Sequence, residues 1–152
     1  IGSLQFNRTN LMAKIIALDF GLKRTGLALT DDTCIFAFGH STVESKYLLP
    51  TLKLLIPSEK IGTIVLGKPK RLDNSLFEIN ANIDQLILVL KATFPSCEIV
   101  QVDERFTSKM AAHAISQSGK GKKERQSKEL VDKVSATLIL QSYLDQQSQG
   151  RF

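Results

Sequence analysis

The chain has 152 residues, of which 43% are hydrophobic and 23% charged, with a formal net charge of +5. These values suit one globular domain with a single core and exclude a disordered polyelectrolyte. No apolar run approaches the roughly 20 residues of a membrane span, and no apolar stretch is followed by a secretory cleavage pattern. The positive charge is a mild bias towards polyanions and decides nothing alone. The two cysteines, Cys34 and Cys97, lack metal-ligand spacing. Both are expected to be small buried hydrophobes, and a reducing cytoplasm fits them. His40 and His113 complete no motif. Residues 1–11 are expected to be an extraneous or disordered segment ahead of Met12. Residues 12–147 are expected to form one domain and 148–152 a polar tail.

Lys14 to Phe20, KIIALDF, is a dense apolar run of strand length. Gly21 and Gly26 bracket a turn through Leu22, Lys23, Arg24 and Thr25, and Gly26 to Thr30 reads as the returning strand of a hairpin. Asp31-Asp32-Thr33 is a turn, and Cys34 to Thr42 reads as a third strand with Phe36 and Phe38 on one face. From Ser45 the period changes to three and four through Tyr47, Leu48, Thr51, Leu52, Leu55 and Ile56, which predicts a helix ending near Pro57. Thr63 to Gly67 is a short buried strand followed by a polar loop over 68–74, and Leu76 to Phe94 is a long helix. Glu98 to Val102 is a fifth strand. A helix over 107–117, a charged loop over 118–128 and a closing helix over 129–147 complete the chain. Hairpin-joined strands followed by strand–helix alternation predict an α/β fold: one central mixed five-stranded sheet flanked by helices, in a single domain.

Four stretches could carry chemistry. Asp19 shares a strand face with Ile15 and Ala17, where a carboxylate is costly to desolvate unless it is paired or binds a cation. Alone, it reads better as a strand-end cap for the turn at Gly21. The glycines that follow allow close approach, and Lys23 and Arg24 add two cations, an arrangement suited to a metal-bound phosphate. Asp103-Glu104-Arg105 directly follows a strand; only one of the two carboxylates can share the face of Asp19, and Arg105 could hold a phosphate. Asp132 lies on a helix face with Ser135, Ala136 and Ile139, small enough near the acid to bring it close to the sheet. The loop from Gly67 to Ser75 offers Lys68, Lys70 and Arg71 to a nucleic-acid backbone. Taken singly, Asp103-Glu104-Arg105 reads better as a solvated turn and Asp132 as an ordinary surface aspartate, and a solvated basic loop is the alternative for the last stretch.

DFGLKRTGLA at 19–28, GKPKRLDNS at 67–75, DERFTS at 103–108 and VDKVSA at 131–136 together resemble the YqgF family, also called RuvX. Its members are assigned as pre-16S rRNA nucleases related to Holliday junction resolvases, with a ribonuclease H fold. The resemblance covers about Met12 to Leu144 and rests on four motifs in order. It implies a catalytic and metal-binding acidic trio at Asp19, Glu104 and Asp132, served by Mg2+ with Mn2+ as the alternative. Lys23, Arg24, Lys68, Lys70, Arg71 and Arg105 are the substrate-binding candidates. The chain departs from the family pattern at Lys68 and Asn74, which puts the contacts of that loop in doubt.

The expected activity is therefore metal-dependent hydrolysis of nucleic-acid phosphodiesters, in the maturation of precursor 16S rRNA. The expected partners are structured RNA or DNA and ribosomal particles, in the cytoplasm and without a membrane. A Holliday junction resolvase is the alternative within the enzyme class. A non-catalytic RNA- or ribosome-binding module and an ATP-binding phosphotransferase-like domain, which shares the DxGxxxxG turn, are the rivals outside it. A monomer is preferred over a homodimer, because no apolar patch in the sequence specifies a symmetric contact.

Overall fold

A computed structural model describes residues 13–68, 74–103 and 128–148. Five strands form one sheet: β1 (Lys14–Phe20), β2 (Arg24–Thr30), β3 (Ala37–Glu44), β4 (Ile61–Lys68) and β5 (Glu98–Asp103). Three α-helices accompany them among the described residues: α1 (Leu48–Ser58), α2 (Asn74–Thr93) and α3 (Lys128–Ser148). The strand order is β3-β2-β1-β4-β5. The hairpin pairs β1–β2 and β2–β3 are antiparallel, whereas β1–β4 and β4–β5 are parallel. This is the mixed five-stranded sheet that the order of elements predicts. No helix among the described residues is long and apolar enough to cross a membrane.

Strand alternation divides the core in two. Ile16, Leu18, Leu27, Leu29, Ile64 and Leu66 face Leu48, Leu52 and Ile56 of α1 and Ile83 and Leu90 of α2. The four-residue spacing within α1 puts its three leucine and isoleucine side chains on one stripe. On the other face Ile15, Ala17, Ala28, Val65 and Val102 meet Ala136, Ile139, Leu140, Tyr143 and Leu144 of α3. The central strands β1 and β4 are thus covered on both sides, which explains their nearly continuous apolar sequence.

Several boundaries differ from the sequence reading. β2 starts at Arg24 rather than Gly26, because Arg24 and Thr25 pair with Glu44 and Val43 of β3. The third strand spans 37–44 rather than 34–42. Asp31 is the reason: its Oδ1 accepts the backbone N–H groups of Ile35 and Phe36, and its Oδ2 accepts the Thr33 hydroxyl, which holds the Asp31 carboxyl below its ordinary range. Cys34 sits inside that turn with φ 58°, and its Sγ donates to the Ala13 carbonyl. Cys97 lies in the turn before β5 with Sγ donating to the Ile61 carbonyl. Both cysteines are free and half-buried, in turns rather than in strands. Phe36 and Phe38 do not share a covered face; both are exposed. The helix expected from Ser45 begins as a single 3-10 turn, Ser45–Tyr47. Lys68 belongs to β4 rather than to the loop after it. The expected helix over 107–117 and the loop over 118–127 lie outside the described residues, as do the terminal segments 1–12 and 149–152.

The strand polarity creates two unlike edges. At one, Lys14 opens β1 with its Nζ bonded to Glu59 Oε2 (3.0 Å) and near Asp32 Oδ1 (3.3 Å). The bond to Glu59 is the main reason its ammonium is held above its ordinary value. At the other edge β1, β4 and β5 all end, β2 begins and β3 ends.

Tyr143 supplies a pH signature of the α3 layer. Gln147 Nε2 donates to its hydroxyl at 2.8 Å. Burial, with Glu98 nearby, pushes its phenol from 10.0 up to about 12. The fold therefore favours the neutral phenol: the stability Tyr143 carries is complete below the unfolded value of 10.0 and is lost as the pH climbs from there towards about 12. Tyr143→Phe should flatten that part of the alkaline loss in urea midpoints, and an unchanged alkaline slope would show that another group titrates.

Candidate active site

Asp19 is the penultimate residue of β1, half-buried, and pairs directly with Gly26 of β2. Side chains opposite one another on adjacent strands project to the same face. On that face Ile15 and Ala17 already pack against α3. Asp19 is therefore the polar end of a strip that is otherwise buried under this helix.

Gly26 determines what lies next to it. A Cβ at this position would fall 2.0 Å from the carbonyl oxygen of Asp132 and 2.4 Å from its carbonyl carbon. The backbone of α3 thus rests directly on the strand, where no other residue leaves room. Ser135 and Ala136, one turn further on, are small and fully buried against the sheet. Larger side chains, Ile139 and Tyr143, take over as the helix proceeds. Asp19 and Asp132 consequently border the same glycine, one through the sheet pairing and the other through the helix contact.

Arg24 fixes the second of these acids. Its Nε donates to Asp132 Oδ2 at 3.3 Å, with the two side chains 32% and 25% exposed. The sequence offers Arg24 as a phosphate contact; in the structure its Nε is committed to positioning the Asp132 carboxylate. Lys23 stands exposed at the tip of the turn. Lys68 is exposed at the end of β4, in register with Asp103 of β5. Val102 faces α3, so Asp103 projects to the opposite face from Asp19. Glu104, Lys70, Arg71 and Arg105 lie outside the described residues.

Ser45 is a site element that sequence periodicity conceals, because a serine at the start of a helical pattern reads as an ordinary helix start. Its hydroxyl donates to the Gly21 carbonyl and shares a 2.8 Å hydrogen bond with Thr25 Oγ1, while its N–H donates to the Lys23 carbonyl at 2.8 Å. One residue therefore ties the end of β3 to both sides of the Gly21–Lys23 turn.

Asp19 and Asp132, whose backbones both adjoin Gly26, carry carboxylate oxygens, hard ligands that suit Mg2+ or Mn2+ rather than thiolate-seeking metals. Two acids are in place among the described residues. No group of three or more His, Cys, Asp or Glu side chains suited to a metal is assembled there.

The sequence of the RuvX family, described as Holliday junction resolvase, matches residues 13–146. The chain belongs to this family. A relative from Porphyromonas gingivalis named "Putative pre-16S rRNA nuclease" is 46% identical over 134 residues, covering 88% of this chain and 97% of its own. Relatives of the same name from Bacteroides fragilis and Christiangramia forsetii are 42% and 41% identical, with 88% of this chain and 97% and 98% of theirs covered. Among solved structures, Thermus thermophilus RuvC in complex with a Holliday junction substrate has a TM-score of 0.58 at 11% identity, covering 91% of this chain and 97% of that one. The Fowlpox virus resolvase bound to junction DNA has a TM-score of 0.56 at 14% identity, with coverage of 88% and 98%. At such identities the likeness is one of fold, and it is the ribonuclease H-like fold that the sequence motifs imply.

The Gly26 contact is open to a direct test. Because the clash in Gly26→Ala is with helix backbone, which cannot rotate away, the variant should lose at least about 3 kcal/mol, the upper range for an overpacked core. Urea denaturation measures it, and a variant as stable as the parent would refute the contact.

Proposed function

We infer that this RuvX-family chain is a metal-dependent endonuclease that hydrolyses nucleic-acid phosphodiesters, with maturation of the 5′ end of precursor 16S rRNA as its task. The observation that carries this reading is the meeting of Asp19 and Asp132 at Gly26, on one face and at the edge where the parallel strands end. The names of the relatives at 41–46% identity support the rRNA substrate. The cytoplasm and ribosomal particles follow as its setting.

Asp19 and Asp132 would hold the ion together with Glu104, the third acid that the family motifs imply. Held by these carboxylates, Mg2+ or Mn2+ would supply Lewis-acid chemistry at the phosphate and at water. The protein's own part is positional. Arg24 holds the Asp132 carboxylate in one orientation, and Ser45 fixes the turn that carries Lys23 and Arg24. Lys23, Lys68 at the end of β4, and Lys70, Arg71 and Arg105 would supply positive charge to the phosphates of the substrate. Junction resolution is the second reading, favoured by the description of the family that matches residues 13–146.

Asp19→Asn and Asp132→Asn should each fold as the parent does and lose Mg2+-dependent cleavage of a labelled RNA carrying the 16S 5′ leader. Glu104→Gln should do the same, and EDTA should silence the parent. Metal-dependent cleavage that persists in clean Asp19→Asn protein would sink the assignment.

A further inference from the structure

Beside the acids, on the β3 side of the sheet, lies an open pocket of about 500 Å3 lined by Leu22, Lys23, Arg24, Thr42, Val43, Glu44 and Lys46. Three cations and one carboxylate line it. The carboxylate, Glu44, is 3.7 Å from Lys46 Nζ, with both side chains more than half exposed, a kind of pair that contributes little and exchanges readily. Lys46 Nζ also stands 5.1 Å from the centre of the ring of Tyr47, the next residue in the chain. Tyr47 is 54% exposed, although it is a large aromatic, and Leu22 is 50% exposed beside the pocket floor. Nothing in the acidic chemistry uses Lys46 or Tyr47.

These groups are held in place. Ser45, immediately before Lys46, is bonded to Gly21, Lys23 and Thr25, and Thr25 is fully buried. The 3-10 turn bearing Lys46 and Tyr47 is therefore fixed relative to the turn bearing Lys23. Arg24 connects the pocket to Asp132. The pocket therefore adjoins Asp132 through a residue that lines the one and bonds the other.

We propose that the pocket is a subsite for an unpaired nucleotide flanking the cut, its phosphate held between Lys23 and Lys46 and its base stacked on Tyr47. An aromatic face accepts a base only when that base has left its own stack, so the subsite selects single-stranded or splayed nucleic acid over continuous duplex. The proposal rests on the nuclease reading for its choice of ligand, but it concerns binding and is tested separately from cleavage.

The test is fluorescence anisotropy of the full chain, without divalent ions, with a short labelled oligouridylate and with the same strand annealed into a blunt duplex. Tyr47→Ala should weaken single-strand binding about 10-fold, within the range for losing one base–aromatic stack. Tyr47→Phe should bind as the parent does. Lys46→Gln should lower the slope of log affinity against log salt by about 0.7, the value for one phosphate contact on a single strand. The chain has no tryptophan and two tyrosines, and the other, Tyr143, is buried. Tyrosine emission should therefore be quenched by the oligonucleotide in the parent and not in Tyr47→Phe. Should Tyr47→Ala fail to fold, Tyr47→Phe and the exposed Lys46→Gln carry the test. Unchanged affinity and salt slope, unaltered quenching in Tyr47→Phe, or equal binding of the duplex would overturn the subsite. Normal cleavage alongside those results would leave the nuclease reading standing. A Tyr47-dependent affinity in a parent chain that cleaves nothing would support the subsite and remove the nuclease reading.

Discussion

The candidate site depends on one contact, the backbone of α3 lying on Gly26. Two acids more than a hundred positions apart in sequence become neighbours only because this strand position has no side chain. The contact also sets the tilt of the helix. Beyond Gly26 the helix is spaced from the sheet by Ser135 and Ala136, and then by Ile139 and Tyr143. The small-to-large gradient brings α3 nearest to the strands at the end where its acid lies.

The rest of the fold resists what such a site costs. An ionised carboxylate against a buried strip is unfavourable unless cations or solvent compensate. Arg24 compensates Asp132 directly, and placement at the edge keeps Asp19 partly in contact with solvent. This desolvation cost is confined to one end of β1. Over the remainder of the strand Ile15, Ile16, Ala17 and Leu18 are buried on both faces, and Lys14 is tied to Glu59 at the foot. The Lys14–Glu59 ion pair and the candidate site thus occupy opposite ends of the same strand, and the candidate site lies where sites gather in open α/β sheets, at the carboxyl ends.

Much of this was legible in the sequence, for identifiable reasons. β1 matched its apolar run residue for residue because it is covered on both sides, and α1 announced itself through Leu48, Leu52 and Ile56. The third strand was misplaced because Cys34, Ile35 and Phe36 look strand-like, whereas the side chain of Asp31 takes up the backbone groups there. At the site, the faces of Asp19 and Asp132 followed from alternation and helical spacing. The role of Gly26 did not: a glycine two residues after a basic turn suggests ligand approach, and only tertiary structure shows that a helix occupies the space. Ser45 was hidden for the same reason, since its partners Gly21, Lys23 and Thr25 are 20 to 24 residues distant along the chain.

The position of α3 in the chain has a consequence for synthesis. A growing polypeptide emerges from its amino end, and early segments can begin to fold before later ones exist. All five strands precede α3, and the Arg24–Asp132 bond closes a separation of 108 residues. A chain still lacking α3 can pair its strands and cover one face with α1 and α2, but among the described residues no other helix covers the second face, which holds Asp19 without Asp132. Long-range closure of this kind is also slow, since loop entropy must be overcome before the contact contributes anything. The acids therefore come together as a late event in the protein's own formation, and a partly made chain is an exposed sheet before it is anything that can cut.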